Sequence, residues 1–458
     1  MTEPATGATD SAGMRLLGLV DTEDPYDVDD AEILPLQIQA AHEAFARMRP
    51  LIPLLDRRAT EAGIEKITSL ADVVPLLFSH TVHKSYPQSF IQKGRWDRLL
   101  EWYDSLAAQP LVDAVDLTDV ENIDDFAAAL TRAGMLPHVT SGTSGKISLI
   151  NNTPGDRDRA ERIGAAVVGW PRPLRTKGSM HFYGLVPSSG YSKHVEFTRS
   201  LAETFAPEGK RHFLSDEPML PSVAARAAAM RTRMMDGSAT PAEIAAFDDE
   251  ANARADRMSR NLRDLTSDII EHRAEPMIVM GVWTQHWAIM QQARELGCAD
   301  GEFHPDTVVY TAGGLKGASL PADYREQIYR FYGDTRRFMA YGMTEIDPSA
   351  PQCEVGRYHR PPWVMWLVLD QAGETLAQPN ADGIIDGRFA VLSFNHEGRW
   401  AGLITGDHIH LDTGVCPCGR RGPTILDDIV RYSEQDGGDD KIGCAGSMEA
   451  YLRGRVGE

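Results

Sequence analysis

Between residues 240 and 273 apolar side chains recur at steps of three and four: Ile244, Phe247, Ala251, Ala255, Met258, Leu262, Leu265 and Ile269. That spacing marks one buried stripe along a long helix. Thr240-Pro241-Ala242-Glu243 opens it as a capping box with proline at the first helical position. Ile33, Leu36, Ile38, Ala41, Phe45 and Met48 give residues 30–60 a helical period as well. Residues 111–133 mix acidic and apolar positions and predict a helix. Short apolar runs bounded by glycine or polar turns predict buried strands at 180–184, 277–283, 307–311 and 338–340. Thr284 caps a helix that ends near Gly297, and another helix starts after Leu320-Pro321.

Strands alternating with helices predict an α/β fold with a mostly parallel layer. After residue 360 the pattern changes. Residues 364–369, 389–394, 402–404 and 408–411 read as strands joined by short turns, an antiparallel subdomain over about 360–425. The first dozen residues, rich in Thr, Ala, Gly and Ser, predict disorder over 1–20. The expected organisation is one large domain over 21–430, then a short segment over 431–458.

The 458 residues are 42% hydrophobic, enough for a large core. Neither a membrane span nor a signal peptide stands out. A net charge of −20 argues against nucleic acid and anionic membranes as partners. Five cysteines in a chain this long make no disulfide framework and suit a reduced, cytoplasmic protein.

The densest chemistry lies at Thr140, Ser141, Gly142, Thr143, Ser144, Gly145 and Lys146. Two glycines let the backbone turn its N–H groups onto an oxyanion. Four hydroxyls and a lysine complete a cradle for a polyphosphate. The spacing is not that of the Walker loop. Taken alone, the stretch is a phosphate loop or a flexible polar loop.

Two later segments follow in order: Ala340-Tyr341-Gly342-Met343-Thr344-Glu345 and Thr405-Gly406-Asp407. Between them and the first lies Thr311-Ala312-Gly313-Gly314. Together they resemble the adenylate-forming ligase superfamily, in the branch of phenylacetate–CoA ligases and acyl-protein synthetases. Leu77-Phe78-Ser79-His80, Gly314-Leu315-Lys316-Gly317 and the 356–363 stretch lean toward the acyl-protein synthetases. The resemblance covers roughly residues 65–450. It implies a large adenylate-forming domain of layered sheets with an antiparallel subdomain, and activation of a carboxylic acid by ATP and Mg²⁺.

The resemblance also implies roles. Thr140 to Lys146 hold the β- and γ-phosphates. Gly313, Gly314, Tyr341 and Gly342 border the adenine. Thr344 contacts the α-phosphate, Glu345 helps hold Mg²⁺, and Asp407 accepts hydrogen bonds from the ribose hydroxyls. Arg431 resembles the hinge arginine beside the nucleotide. Tyr183 and His194 fall where the family binds its acid, although each also suits a packing role.

Cys353 and His359 lie six apart, and Cys416 and Cys418 two apart. Three thiols and one imidazole make a tetrahedral zinc set or two unconnected reduced pairs. Some phenylacetate–CoA ligase relatives resemble this chain in carrying a Cys/His zinc set here, which implies structural Zn²⁺.

Relatives continue past the Asp407 motif into a mobile lid domain. Here Asp439-Asp440-Lys441-Ile442 followed by residues 443–451 resembles the lid's first strand, so the expected lid is truncated or absent. Lys441 stands as a substitute for the lid lysine or as a surface lysine. A partner supplying the lid is one consequence. The acyl acceptor is then CoA, a carrier-protein thiol or Cys444, which is equally readable as a small core residue. The alternative class is a protein that binds or forms an adenylate without completing ligation.

Overall fold

The computed structural model describes residues 11–140, 146–175, 177–315, 318–346, 350–435, 440–443 and 445–456. The chain divides into two compact units. The first comprises residues 1–138, 148–159 and 343–458, the second 139–147 and 160–342.

The second unit is the α/β layer. Five parallel strands run in the order Arg211–Ser215, His181–Pro187, Met277–Val282, Val308–Ala312 and Arg336–Tyr341. Helices Lys193–Phe205, Trp283–Glu295 and Tyr324–Tyr332 connect successive strands. The central Met277–Val282 strand is an unbroken apolar run because both its faces are covered. Helix Pro241–Glu271 has the predicted capping box, with Thr240 and Glu243 exchanging bonds. Its burial is one-sided along its length as well as around it. Leu262, Leu265, Thr266 and Ile269 are buried, whereas Ile244 to Met258 are half-buried or exposed.

The carboxyl ends of these strands lead into Ser188, Gly313-Gly314 and Gly342. In open parallel sheets that edge is where ligands bind. Beneath it, His286 is fully buried, with one ring nitrogen 3.1 Å from Tyr332 Oη and the other 3.1 Å from the Tyr310 carbonyl. Burial lowers its pKa from 6.5 to about 4. The unfolded chain therefore binds a proton that the folded chain refuses. The resulting stability is present above pH 6.5 and lost as pH falls through about 4, a swing of about 3 kcal/mol. In His286→Gln, which cannot charge, unfolding free energy should fall less steeply across that window. A slope equal to the parent's would contradict this.

The first unit holds the antiparallel sheet. Its strands run Tyr358–His359, Thr424–Ile425, Gly402–Asp412, Ile384–Ser393 and Val364–Leu369. Phe78–Ser79 pairs in parallel with Gly402–Asp412, and Val430–Arg431 pairs antiparallel with it. Helix Asp30–Met48 lies against this sheet. The buried Gln37 amide donates to the carbonyls of Pro362 and Val364, each at 2.9 Å, and Phe45 meets Trp400 edge-on. A second tie is Asp156, which accepts from the amides of Thr153, Glu397 and Gly398 and pairs with Arg159. Burial raises its pKa, but the neighbouring His396 first, then the Glu397 amide and Arg159, more than reverse this and hold the carboxyl far below the usual range.

Both termini differ from expectation. Residues 11–20 are ordered in part: Ala12–Gly18 is a helix, with Ala12, Leu16 and Leu17 fully buried. Ser11 caps it, and Glu43 accepts the Ala12 amide at 2.8 Å. No strand forms over the described part of 441–445. Instead Ala445–Val456 is a helix packed on the Trp96–Asp104 and Pro53–Ala62 helices of the first unit. Met448 and Leu452, four apart, are its buried anchors, and Glu449 accepts from the Thr81 hydroxyl at 2.9 Å. Residues after 431 therefore belong to the first unit and not to a separate segment.

Candidate functional site

Thr405-Gly406-Asp407 lies in the middle of one continuous strand, Gly402–Asp412, and not between two strands. Pairing with Ile384–Ser393 jumps from Ala390↔Ile404 to Arg388↔His408. Three residues thus face one, and this bulge re-aims the Asp407 side chain. Asp407 is buried, its amide bonded to Thr405 Oγ1 at 3.1 Å. Opposite it in register is Arg431, whose Nε lies 3.5 Å from Asp407 Oδ1.

Beneath the bulge is a polar knot. Arg388 is fully buried and donates to the carbonyls of Thr405 and Gln371 and to Asp440 Oδ1, each at 2.9 Å. Asp440 also faces His80 Nε2 at 3.1 Å. A Cβ at Gly406 would come within 2.8 Å of Asp440 Oδ2 and force that side chain to shift. Burial raises the Asp440 carboxyl's pKa, but His80 and Arg388 more than reverse this. Each buried charge is therefore paired.

Glu345 lies in the turn after the unit boundary. The buried Arg399 donates to its carbonyl at 2.6 Å. Its carboxylate acts on Lys84, where burial lowers the ammonium's pKa and Glu345, then Asp440, oppose that fall. Lys84 thus joins Glu345, Asp440 and Arg431 in one electrostatic neighbourhood. The sequence does not single out Lys84, Arg399 or Arg388, because single basic residues far apart in sequence carry no local pattern, and it offers His80 only as part of the Leu77–His80 motif, with no role of its own.

The residues expected to contact nucleotide fall in both units. Thr140, Lys146, Gly313, Gly314, Tyr341 and Gly342 belong to the second, and Thr344, Glu345, Asp407 and Arg431 to the first. Gly313 takes φ +69°, a backbone state that favours glycine. Ser141, Gly142, Thr143, Ser144, Gly145, Lys316, Gly317 and Cys444 lie outside the described residues.

Tyr183, expected near the acid, lies in a packed aromatic cluster. Its fully buried ring stacks on His212 at 4.6 Å, and its hydroxyl sits 3.3 Å from His272 Nδ1. Strand alternation turns it toward helix Pro241–Glu271, which leaves it no surface for a substrate. His194 is half-buried in the first turn of helix Lys193–Phe205.

Cys353, His359, Cys416 and Cys418 come together in the first unit, their ligand atoms within 4.8 Å of one another. Cys353 Sγ is 3.9 Å from Cys416 Sγ, and Cys418 Sγ is 3.5 Å from His359 Nε2. Zinc–ligand lengths of about 2.3 Å for sulfur and 2.0–2.1 Å for nitrogen predict tetrahedral edges of about 3.8 Å and 3.6 Å. The donor set fits.

Two matching turns build it. Cys353 to Arg357 and Cys416 to Arg420 both read Cys-x-x-Gly-Arg. In each, the glycine has positive φ and donates to the cysteine carbonyl, and the cysteine amide donates to the arginine carbonyl. Backbone amides also point at the sulfurs, which favours thiolate. Burial nevertheless pushes the Cys416 thiol up to about 12, and burial lowers His359 to about 4, keeping its imidazole neutral. Arg420 ties the second turn to Asp24 at 2.6 Å and to Glu354 at 3.1 Å.

No protein-family model and no curated protein matches the sequence. Among solved structures, the chain matches an open conformation of 2-hydroxyisobutyryl-CoA ligase in complex with 2-HIB-AMP and CoA, with a TM-score of 0.52. The match spans 90% of this chain and 79% of that one at 14% identity. The chain has the fold of the adenylate-forming ligases. Within this ligase fold no described helix is long and apolar enough to cross a membrane.

Proposed function

We propose that this chain activates a carboxylic acid with ATP and passes the acyl group to a thiol. A carboxylate oxygen attacks the α-phosphorus, the bond to pyrophosphate breaks, and a mixed anhydride with AMP forms. Thiolate sulfur then attacks the acyl carbon and AMP leaves with the electron pair. The observation that carries this reading is Asp407, a buried carboxylate turned out of mid-strand by a bulge, in a chain with the ligase fold. It is suited to accept both ribose hydroxyls. The polar knot of Arg388, Asp440 and His80 fixes the strand that presents it.

The remaining roles follow the same reading. Lys146 and the glycine-rich stretch before it hold the outer phosphates, and Thr344 meets the α-phosphate. Glu345 supplies the hard carboxylate oxygen that Mg²⁺ favours, and the ion neutralises charge between two anionic reactants. Lys84 balances Glu345 before the ion arrives. Zinc held by Cys353, His359, Cys416 and Cys418 pins the loop after Glu345 to the one after Asp412.

A panel of carboxylic acids incubated with ATP, Mg²⁺ and hydroxylamine tests the first step. At least one acid should yield its hydroxamate. A panel with no hydroxamate above the acid-free background counts against the assignment.

CoA is the preferred acceptor. Both described flanks of Cys444 are tied down: Ile442 is buried, Gly443 donates to the Ala372 carbonyl at 2.9 Å, and Ala445 begins the packed C-terminal helix. These ties on the described neighbours favour an external thiol as the acceptor. After incubation with ATP and a cognate acid, the intact mass should stay unchanged, and added CoA should give acyl-CoA. An acyl adduct lost in Cys444→Ser would reverse this preference.

A further inference from the structure

A second group of metal-ligating side chains lies apart from the cysteine cluster. His408 and His410 are two apart on the Gly402–Asp412 strand, so they share one face. That face is half-exposed and opposite the one bearing Asp407. Asp386, on the neighbouring strand, pairs in register with His410. His408 Nε2 lies 2.5 Å from Asp386 Oδ1, and His410 Nε2 lies 3.6 Å from the same oxygen. The three ligand atoms lie within 4.8 Å of one another.

The orientation of the rings is what distinguishes the group from a chance ion pair. Both imidazoles turn Nε2 toward one carboxylate oxygen. The other nitrogen of His410, Nδ1, lies 2.8 Å from Asp428 Oδ2. That carboxylate is not aligned for a hydrogen bond, but its charge beside Nδ1 favours the tautomer that leaves the Nε2 lone pair for a metal. His408 is steadied by Tyr432, edge-on at 5.2 Å, and the two imidazoles cross at 80°. Among the described residues, Asp386 and Asp428 form ion pairs with histidines only.

Metal–ligand lengths of about 2.0–2.1 Å put tetrahedral nitrogen and oxygen ligands about 3.3 Å apart. The observed 2.5 and 3.6 Å bracket that spacing, and the exposed Asp386 side chain is able to adjust. The chain's other histidine group, His181, His272 and Glu275, is less suited. There Lys210 Nζ already sits 2.9 Å from Glu275 Oε2, a cation in the place of a metal.

We propose that Asp386, His408 and His410 bind one divalent transition metal ion through two imidazoles and a carboxylate. Asp428 is a positioning residue that sets the tautomer of His410. Imidazole–carboxylate sets suit zinc, nickel and copper ions rather than magnesium or calcium. With three protein ligands the coordination sphere keeps a position for water or an exogenous ligand. The site is independent of the ligase reading and shares no residue with the cysteine cluster.

Nickel(II) alone serves as the probe. Equilibrium dialysis followed by elemental analysis counts nickel per chain in the parent, His408→Gln, His410→Gln and Asp428→Asn. The parent should bind one equivalent more than either histidine variant. Asp428→Asn should retain that equivalent with an affinity roughly tenfold lower, and its metal-free unfolding midpoint should not move. Equal nickel counts in parent and histidine variants overturn the site. A measurement on the unaltered chain stands beside this. Nickel should protect His408 and His410 from carbethoxylation by diethyl pyrocarbonate, read by peptide mass spectrometry, while His304 stays reactive. Equal modification of all three with and without nickel overturns the site as well.

Discussion

Cys416→Ser should strip zinc from the chain and destabilise the first unit by more than about 4 kcal/mol, the range reached when a structural metal is lost. Cys416 is buried, and its sulfur lies 3.9 Å from that of Cys353, at the edge length of a zinc tetrahedron. Serine offers a hard, weakly acidic hydroxyl in place of a thiolate. The Cys353 and Cys416 turns are short irregular segments, so a bound metal would add a tie that their few backbone bonds do not supply. Elemental analysis and urea unfolding check this. Because metal binding requires thiolates and a neutral imidazole, zinc retention should also fall as pH falls. A Cys416→Ser protein with full zinc and unchanged unfolding would refute the ligand set.

Asp407→Ala should weaken nucleotide binding by on the order of 100- to 10,000-fold. Two charge-assisted hydrogen bonds are lost, at about 1.5–3 kcal/mol each. The loss should appear in the affinity for ATP and for the acyl adenylate alike, since both carry the ribose. Folding should be little affected. The Asp407 amide, not its carboxylate, makes the bond to Thr405, and its ion pair with Arg431 is mostly solvent-exposed and weak. Asp407→Asn should fall between the two, because an amide accepts one bond well and brings no charge. Calorimetry that finds equal affinity in parent and Asp407→Ala would remove Asp407 from the nucleotide site.

Much of the layer architecture was legible in the sequence, for reasons tied to periodicity. Residues 364–369 read as a strand and form one over those same residues, because a buried strand needs an unbroken apolar run. The capping box at Thr240 was equally plain. What escaped notice depended on contacts between distant residues. Thr405-Gly406-Asp407 looked like a turn between two strands, since glycine and polar residues mark turns. It is a bulge, held by Arg388 and Asp440 from elsewhere in the chain. The stretch after Lys441 was read by resemblance as a strand, while the four-residue spacing of Met448 and Leu452 signals the helix that forms. The repeated Cys-x-x-Gly-Arg is legible in the sequence, but spacing alone groups Cys353 with His359, and only the fold brings it to Cys416. The His408/His410 pair was hidden because each looked like an ordinary polar position on an alternating strand.

The central claim is formation of an acyl adenylate, and pyrophosphate exchange tests it most directly. The chain is incubated with ATP, Mg²⁺, labelled pyrophosphate and the acid that gives a hydroxamate, without CoA. Label should enter ATP only when the acid is present, and the rate should collapse in Asp407→Ala. Label entering ATP at the same rate without acid, or no exchange with an acid that the chain demonstrably binds, would contradict the account.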